Sequence, residues 1–169
     1  MKRLARYSLL CLCLGLLQGC AGYQLGPVHK NRFQSIAVPM FKNRTLQPQL
    51  EAQVTNAIIK RLQADGSLAV KYSDDADVIL RGEILAYERS TLRGQRYDTT
   101  VPLELRLTIQ ARIEAYDRVT GASVLAPTVV TGSADTFIGI DQQSSELQAL
   151  PLIADDLAKR AVSLLVERW

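Results

Sequence analysis

Three arginines lie close together between two long segments of the chain that are rich in apolar residues. The stretch ERSTLRGQRYD, residues 88–98, contains Arg89, Arg93 and Arg96 beside Tyr97. A guanidinium group offers paired N–H donors that match phosphate oxygens, so three of them at a hairpin tip can clamp phosphate groups. A solvated polar loop without a ligand is the alternative interpretation of the same residues.

Other residue types that carry chemistry are scarce or badly spaced. His29 is the only histidine, and a serine triad or a histidine-ligated metal site would have to be built around it. Asp74, Asp75 and Asp77 suggest calcium, but no full DxDxDG loop with a distal glutamate follows, which favours a turn with solubilising charges. The glycines lack phosphate-loop spacing. We therefore predict no enzyme activity, no metal site and no cofactor.

The N-terminal segment has the layout of a secretory signal peptide. Lys2, Arg3 and Arg6 precede an uncharged apolar run from Leu9 to Leu17. This run is shorter than the about 20 residues that a membrane-spanning helix needs. A buried N-terminal helix is the alternative, but no polar stripe interrupts the run as an amphipathic helix would require.

The cysteine that follows this segment predicts a lipid anchor. The sequence LQGC at residues 17–20 is similar to a bacterial lipobox, in which Cys20 becomes the mature N-terminus and its sulfur carries a diacylglycerol. A further acyl chain on its amine would make the anchor stable. By similarity to sorted lipoproteins, Ala21 after the cysteine favours the outer membrane. Ordinary secretion with a free Cys20 is the alternative.

Removal of the signal changes the chemistry of the mature chain. Cys11 and Cys13 leave with it, so a capped Cys20 leaves no thiol for a disulfide or for thiolate chemistry. Three of the 20 basic residues also leave, and the remaining 17 balance the 17 acidic residues. The predicted domain therefore has no net positive charge, which argues against nucleic acid as a partner.

The remaining sequence predicts one α+β domain. We divide the chain into a lipoprotein signal peptide (1–19), a lipidated N-terminus and tether (20–32), and a single α+β domain (33–169). Apolar runs predict strands at 35–38, 68–72, 78–88, 101–115 and 123–137, and helical spacing predicts a first helix from Pro48 to Ala64. A second helix should open at Ser144 or Ser145, with Pro151 in its first turn or at its start.

The arrangement of these elements follows from their apolar faces. Residues 101–115 alternate strictly between apolar and polar types, which is typical of an antiparallel strand with one buried face. Each predicted helix has one apolar stripe. We therefore expect two helices packed on one face of a mostly antiparallel sheet of four to five strands.

Several segments in order resemble one known family. The lipobox cysteine followed by AGYQL, then SIAVPMFKNRT and PQLE, then DADVILRGEILAYE, LELRLTIQARIEAYDRVTGASVL and DLAKR, is similar to the lipopolysaccharide-assembly lipoprotein family LptE. The resemblance covers nearly the whole predicted mature chain. It implies a non-enzymatic lipoprotein that plugs a large outer-membrane β-barrel of the LptD type, helps it assemble, binds lipopolysaccharide and assists lipopolysaccharide transport to the outer leaflet.

Together with this resemblance, the loop arginines become candidate contacts for lipid phosphates. Arg93 and Arg96 are the first candidates for lipopolysaccharide binding, and Arg89 is a secondary one. The expected location is the outer membrane, with the lipid-anchored domain in the periplasm or inside the barrel lumen. An independent envelope scaffold that binds peptidoglycan or a protein partner is the alternative, and a carboxylate-only glycosidase is a third, weaker interpretation because so small a chain leaves little room for a sugar cleft.

Overall fold

The structure is a computed structural model that describes residues 33–94, 102–138 and 141–167. The predicted signal peptide 1–19, the predicted tether 20–32 with Cys20 and His29, and Arg96 lie outside the described residues. The described elements are, in chain order, β1 (Ser35–Ala37), β2 (Lys42–Asn43), α1 (Leu50–Asp65), β3 (Ala69–Val70), β4 (Val78–Gly94), β5 (Pro102–Asp117), β6 (Ser123–Phe137) and α2 (Gln142–Val166).

The strands form one mixed sheet. Its order is β3-β1-β4-β5-β6, and β2 pairs separately with β4. β1 runs parallel to β3 and β4, β2 runs parallel to β4, and β4, β5 and β6 are antiparallel to one another. The predicted α+β class with two helices is confirmed for the described residues. Within the described residues the sheet has six strands rather than four or five, because Lys42–Asn43, which lies between the predicted strand 35–38 and the predicted first helix, pairs with Glu83 and Ile84.

One face of the sheet and the inner faces of both helices build the core. On β5 every second side chain from Leu105 to Ala115 is buried, as the alternation predicted. The stripes of α1 and α2 are buried against this face, namely Leu50, Val54, Ile58 and Leu62, and Ile153, Leu157, Ala161 and Leu165. Both helices therefore cover the same side of the sheet, and the other side keeps its polar side chains.

Helix α1 begins two residues after the predicted start at Pro48. Gln49 precedes the helix with φ 64°, a left-handed conformation that interrupts helical geometry and so separates Pro48 from the first turn. The helix ends where it was expected to end. Gly66 has φ 74° and its N–H donates to the carbonyl of Leu62 at 3.0 Å, which is the usual left-handed helix termination.

Helix α2 begins before the predicted residues Ser144 and Ser145. Asp141 is its N-cap, and the Asp141 carboxylate accepts a hydrogen bond from the N–H of Ser144 at 2.6 Å. The helix starts at Gln142, so the expectation that Pro151 would lie in the first turn was wrong. Pro151 lies in the helix interior, where its missing N–H removes one helical hydrogen bond, and its ring is exposed to solvent.

Strand β4 continues to Gly94, beyond the predicted end at residue 88. Its polar second half pairs with β5 as far as Pro102, and this neighbouring strand satisfies the backbone of residues that would otherwise favour a loop. The register shifts between Ile84 and Ala86, and again between Thr91 and Arg93. Each shift changes which side chains of β4 point toward the helices.

Helix α2 approaches the edge strand β6 so closely that one position must be glycine. A Cβ atom on Gly132 would lie 2.6 Å from the Cβ and N atoms of Leu157 and 2.7 Å from the carbonyl oxygen of Ile153. Beside it, the Asp156 carboxylate accepts a hydrogen bond from the N–H of Ser133 at 3.0 Å. These contacts determine how closely α2 packs on the sheet and where along β6 it lies.

A similar close approach fixes the segment before β2. The ring of buried Phe41 occupies the space of a Cβ on Gly82, which would lie 2.0 Å from the nearest ring atom. The N–H of Phe41 donates to the hydroxyl of Thr55 in α1 at 3.0 Å. Phe41 is therefore held between the sheet and the first helix.

Candidate functional site

The two described helices leave one broad face of the sheet uncovered. Residues directly opposite each other on paired strands point to the same side, so the register identifies the side chains of this face. We call the following residues the open face: Arg81, Glu83, Glu88, Ser90 and Arg93 on β4, Glu104, Arg106, Thr108, Gln110, Arg112 and Glu114 on β5, and Val129, Thr131, Ser133, Asp135 and Phe137 on β6. All are exposed or half-buried.

Charges of both signs are paired across the open face. Nε and Nη2 of Arg106 donate to the two carboxylate oxygens of Asp135 at 2.7 and 2.8 Å, and these hydrogen bonds lower the pKa of Asp135. Glu83 accepts from Arg44 at 2.5 Å and from Arg112 at 3.5 Å. The pKa of Glu83 is lowered, chiefly by the hydrogen bond from Arg44. The face is thus strongly polar and carries charges of both signs, some of them paired.

A shallow depression of about 360 Å³ opens at the β2 end of this face. Met40, which is 61% exposed, and the charged residues Lys42 and Glu114 belong to its wall. A further wall residue, Arg81, stacks its guanidinium 4.5 Å from the centroid of the Tyr116 ring.

The structure separates the two candidate arginines that it describes. Arg89 and Arg93 are strand residues rather than loop residues, and the register shift after Thr91 places them on opposite faces of the sheet. Arg89 points toward the helices and forms an ion pair with Glu146 at 3.2 Å. Arg93 lies opposite Glu104 and is exposed. Arg96 lies outside the described residues, so the predicted cluster of three is not described as a unit.

The ion pair of Arg89 is part of a second hollow that the sequence did not reveal. Its walls come from the segment before α1, from β4 and from the first two turns of α2. We call it the Glu146 pocket, and it is lined by Gln47, Pro48, Arg89, Gln142, Gln143, Glu146 and Leu147, with a volume of about 440 Å³.

One signal in the sequence could have identified this pocket. Glu146 lies three residues before Ala149 and seven before Ile153, and therefore on the apolar stripe of α2. A charged residue on a buried stripe requires a partner. The partner, Arg89, could not be assigned, because the bulge after Ile84 changes the side toward which β4 residues point.

The described residues contain no alternative constellation for metal chemistry. No group of three or more His, Cys, Asp or Glu side chains in them is placed to hold a metal ion. Asp77 accepts hydrogen bonds from Ser35, and Asp74 and Asp75 are exposed. None of the described helices is both long and apolar enough to cross a membrane.

Comparison with solved structures shows where this fold occurs. Protein XCC0632 from Xanthomonas campestris has a TM-score of 0.61 at 12% identity, covering 85% of this chain and 89% of its own. PelC L103M from Paraburkholderia phytofirmans, a dodecamer, has a TM-score of 0.51 at 20% identity, covering 79% and 90%. A proposed lipoprotein from Caulobacter crescentus CB15 has a TM-score of 0.52 at 12% identity, covering 79% and 89%. At these identities the likeness establishes the fold alone.

Comparison with protein families gives the assignment that the structural likeness cannot give. No match to a curated protein was found. The model of the family described as LptE, lipopolysaccharide-assembly, matches residues 33–168, and this range contains every residue of the open face and of the Glu146 pocket. The chain, whose fold and segment order agree with this match, therefore belongs to the lipopolysaccharide-assembly lipoprotein family LptE.

Proposed function

We propose that this protein is a non-enzymatic outer-membrane lipoprotein that plugs and helps assemble a lipopolysaccharide-exporting β-barrel of the LptD type. Membership of the lipopolysaccharide-assembly family is the observation that carries this proposal. The proposed organisation is a signal peptide (1–19), a tether lipidated at Cys20 (20–32) and one domain (33–169). The barrel and lipopolysaccharide are the proposed partners, and the lipid anchor holds the domain in the periplasm or in the barrel lumen.

The open face supports a location against a barrel wall. The lumen of a large membrane barrel is polar, so a plug needs a surface that is hydrophilic without a strong net charge. The open face has this character because Arg106 pairs with Asp135, and Glu83 pairs with both Arg44 and Arg112. A face with charges of both signs can meet a polar barrel wall through hydrogen bonds and ion pairs without a strong net repulsion.

The described arginines support a refined order of candidates for lipopolysaccharide phosphates. Arg93 is exposed, and none of the described residues forms an ion pair with it. The charge of Arg89 is partly neutralised by its ion pair with Glu146. Arg93, with Arg96 three residues further along, therefore stays the first candidate for phosphate contact, and Arg89 stays secondary.

Co-purification tests the proposal. Full-length protein with a C-terminal tag is extracted from its native outer membrane in mild detergent, and an unrelated tagged outer-membrane lipoprotein serves as the control. A large β-barrel recovered in stoichiometric amount with this protein, and not with the control, is the expected result. A solitary lipoprotein, or one bound to peptidoglycan, would contradict the plug and favour an independent envelope scaffold.

A further inference from the structure

The Glu146 pocket contains a buried carboxylate that the proposed plug function does not use. Glu146 is only 8% exposed. Its Oε1 accepts a hydrogen bond from the side-chain amide of Gln142 at 2.7 Å. Nη1 of Arg89 donates to Oε2 at 3.2 Å and also lies 3.4 Å from Oε1, so both contacts are long and shared. A carboxylate oxygen can accept two hydrogen bonds, so Oε2 retains capacity for a donor from a ligand.

A second polar group lies beside this carboxylate. The Tyr87 hydroxyl is buried and makes no hydrogen bond of regular geometry with a described residue, but it lies close enough to the Glu146 carboxylate for an interaction between the two to raise the pKa of Tyr87 beyond the effect of burial. Burial raises the pKa of Tyr87, and the neighbouring charge of Glu146 raises it further, so the hydroxyl keeps its proton. The guanidinium of Arg89 lies 5.9 Å from the centre of the Tyr87 ring, which places carboxylate, guanidinium and phenol in one cluster.

The mouth of the pocket combines amides with apolar surface. Gln47, Gln142 and Gln143 line it, and each side-chain amide can both donate and accept hydrogen bonds. Pro48 is exposed and Leu147 is 54% exposed, so the rim also offers C–H surface. A volume of about 440 Å³ lies within the usual range of small-molecule sites, which is roughly 300–1,000 Å³.

The chemistry of the walls excludes three ligand classes. An anion such as phosphate would meet the carboxylate of Glu146, and Arg89, the one cation among the described residues that line the pocket, is already paired with it. A cationic ligand would have to displace Arg89. An apolar ligand would shield the wall amides from water without offering them a hydrogen-bond partner.

A neutral ring with several hydroxyl groups satisfies all of these groups. Its hydroxyls donate to Glu146 and both donate to and accept from the glutamine amides, while its C–H face packs on Leu147 and Pro48. We propose that the Glu146 pocket binds a neutral sugar ring. The proposal rests on the proposed function only for the source of the sugar, which would then be the saccharide part of lipopolysaccharide rather than a free oligosaccharide.

Saturation-transfer NMR on the full-length protein tests this proposal. The protein is kept in lauryldimethylamine oxide, because detergents with sugar headgroups would occupy the site. The probes are methyl α-glucoside, methyl α-mannoside and N-acetylglucosamine, and inorganic phosphate is the anionic comparison. The variant Gln142→Ala/Gln143→Ala removes two of the wall amides, and Gln148→Ala, an exposed glutamine on the same helix, is the matched control.

The expected result is transfer to the ring protons of at least one sugar, with a dissociation constant that rises at least tenfold in the double variant and is unchanged in Gln148→Ala. Thermal unfolding of each variant separates loss of the site from loss of the fold. No transfer to any sugar, or equal transfer in the double variant, would overturn the proposal, as would binding of phosphate alone.

A competition step identifies the source of the sugar. Displacement of the probe by saccharide released from purified lipopolysaccharide would point to this glycolipid, and displacement only by unrelated hexose oligosaccharides would point to a free saccharide. Both results support the pocket. Because no barrel takes part in this measurement, its outcome is independent of whether the barrel co-purifies.

Discussion

Ser35 and Asp77 hold each other by reciprocal hydrogen bonds across 42 positions of the chain. The N–H and the hydroxyl of Ser35 both donate to Oδ2 of Asp77 at 2.9 Å, and the hydroxyl of Ser35 accepts from the N–H of Asp77 at 3.0 Å. The N–H of Gln34 donates to the same carboxylate oxygen at 2.9 Å. Asp77 therefore fixes β1 beside the start of β4.

Replacing Asp77 should weaken the attachment of β1 to β4, and the size of the effect should depend on pH. Asp77→Ala should lower the free energy of unfolding by about 1–2 kcal/mol at neutral pH, because hydrogen bonds to a charged group are lost at a partly solvated site. The hydrogen bond from Gln34 is the main reason that the pKa of Asp77 is lowered. The native carboxylate thus stabilises the fold above the ordinary carboxyl pKa, and this advantage is lost as pH falls through the lowered pKa.

Urea unfolding at several pH values measures this effect. The difference between wild type and Asp77→Ala should be full at pH 7 and should shrink as pH falls through the lowered pKa of Asp77. Asp75→Ala, at an exposed position two residues away, should show no such difference. A difference that does not depend on pH would contradict the assigned role of the carboxylate.

Adding one methyl group at Gly132 should displace α2. Gly132→Ala places a Cβ against helix backbone atoms, which cannot rotate away as a flexible side chain would. We expect a loss of about 2 kcal/mol or more in the free energy of unfolding. Ser133→Ala, the adjacent change on the open face, should have almost no effect, because the bond of Asp156 is to the backbone N–H. Thermal unfolding of both variants decides the point.

Reversing the charge of the candidate phosphate contacts should reduce lipid retention. Arg93→Asp/Arg96→Asp should retain less lipopolysaccharide after purification in mild detergent, because phosphates would meet carboxylates instead of guanidinium groups. We expect at least a several-fold loss with an unchanged circular dichroism spectrum. Arg160→Asp, a reversal on the outer side of α2, is the control. Equal retention by all three proteins would refute the assignment of Arg93 and Arg96.

The ion pair of Arg106 and Asp135 offers a test of the open face. Both side chains are exposed, so Arg106→Asp should change the melting temperature little. It places two carboxylates side by side on the face proposed to meet the barrel, so the amount of co-purified barrel should fall several-fold. The exchange Arg106→Asp/Asp135→Arg should recover part of this loss. An undiminished yield of barrel from the single variant would exclude this region from the interface.

Loss of the proposed lipid anchor should release the protein from the membrane. Cys20→Ala removes the sulfur that would carry the diacylglycerol, so the protein should move from the membrane pellet to the soluble fraction. Labelled palmitate should enter the wild-type protein and not the variant. Incorporation of the label into both proteins would show that Cys20 is not the attachment site.

The sequence predicted those parts of the fold in which a single pattern dominates. The alternation along β5 is strict, so every buried residue from Leu105 to Ala115 could be assigned in advance. The stripe of α1 and its end at Gly66 follow from equally local signals. The positions of the three arginines could not be predicted in this way. The face of the sheet to which a strand residue points depends on every bulge that precedes it in the strand.

Tertiary pairing decided what these local signals could not. The bulge after Ile84 and the shift after Thr91 exist because β4 pairs with β5, and together they send Arg89 and Arg93 to opposite faces. β2 has only two residues, and its strand character comes entirely from Glu83 and Ile84. The start of α2 at Gln142 depends on the cap at Asp141, which competed with two serines of similar propensity.

The hydrogen bond from the N–H of Ser133 to Asp156 has a consequence for the protein's behaviour before it meets a partner. Among the described strands β6 is the last on its side of the sheet, and the free edge of a strand is a template for the addition of strands from other chains and for fibre growth. In the middle of β6, the backbone N–H of Ser133 already donates to the carboxylate of Asp156 and is not available to another strand. A strand from another chain would have to break this bond before it could run the length of β6, so the same contact that seats the helix also discourages self-polymerisation.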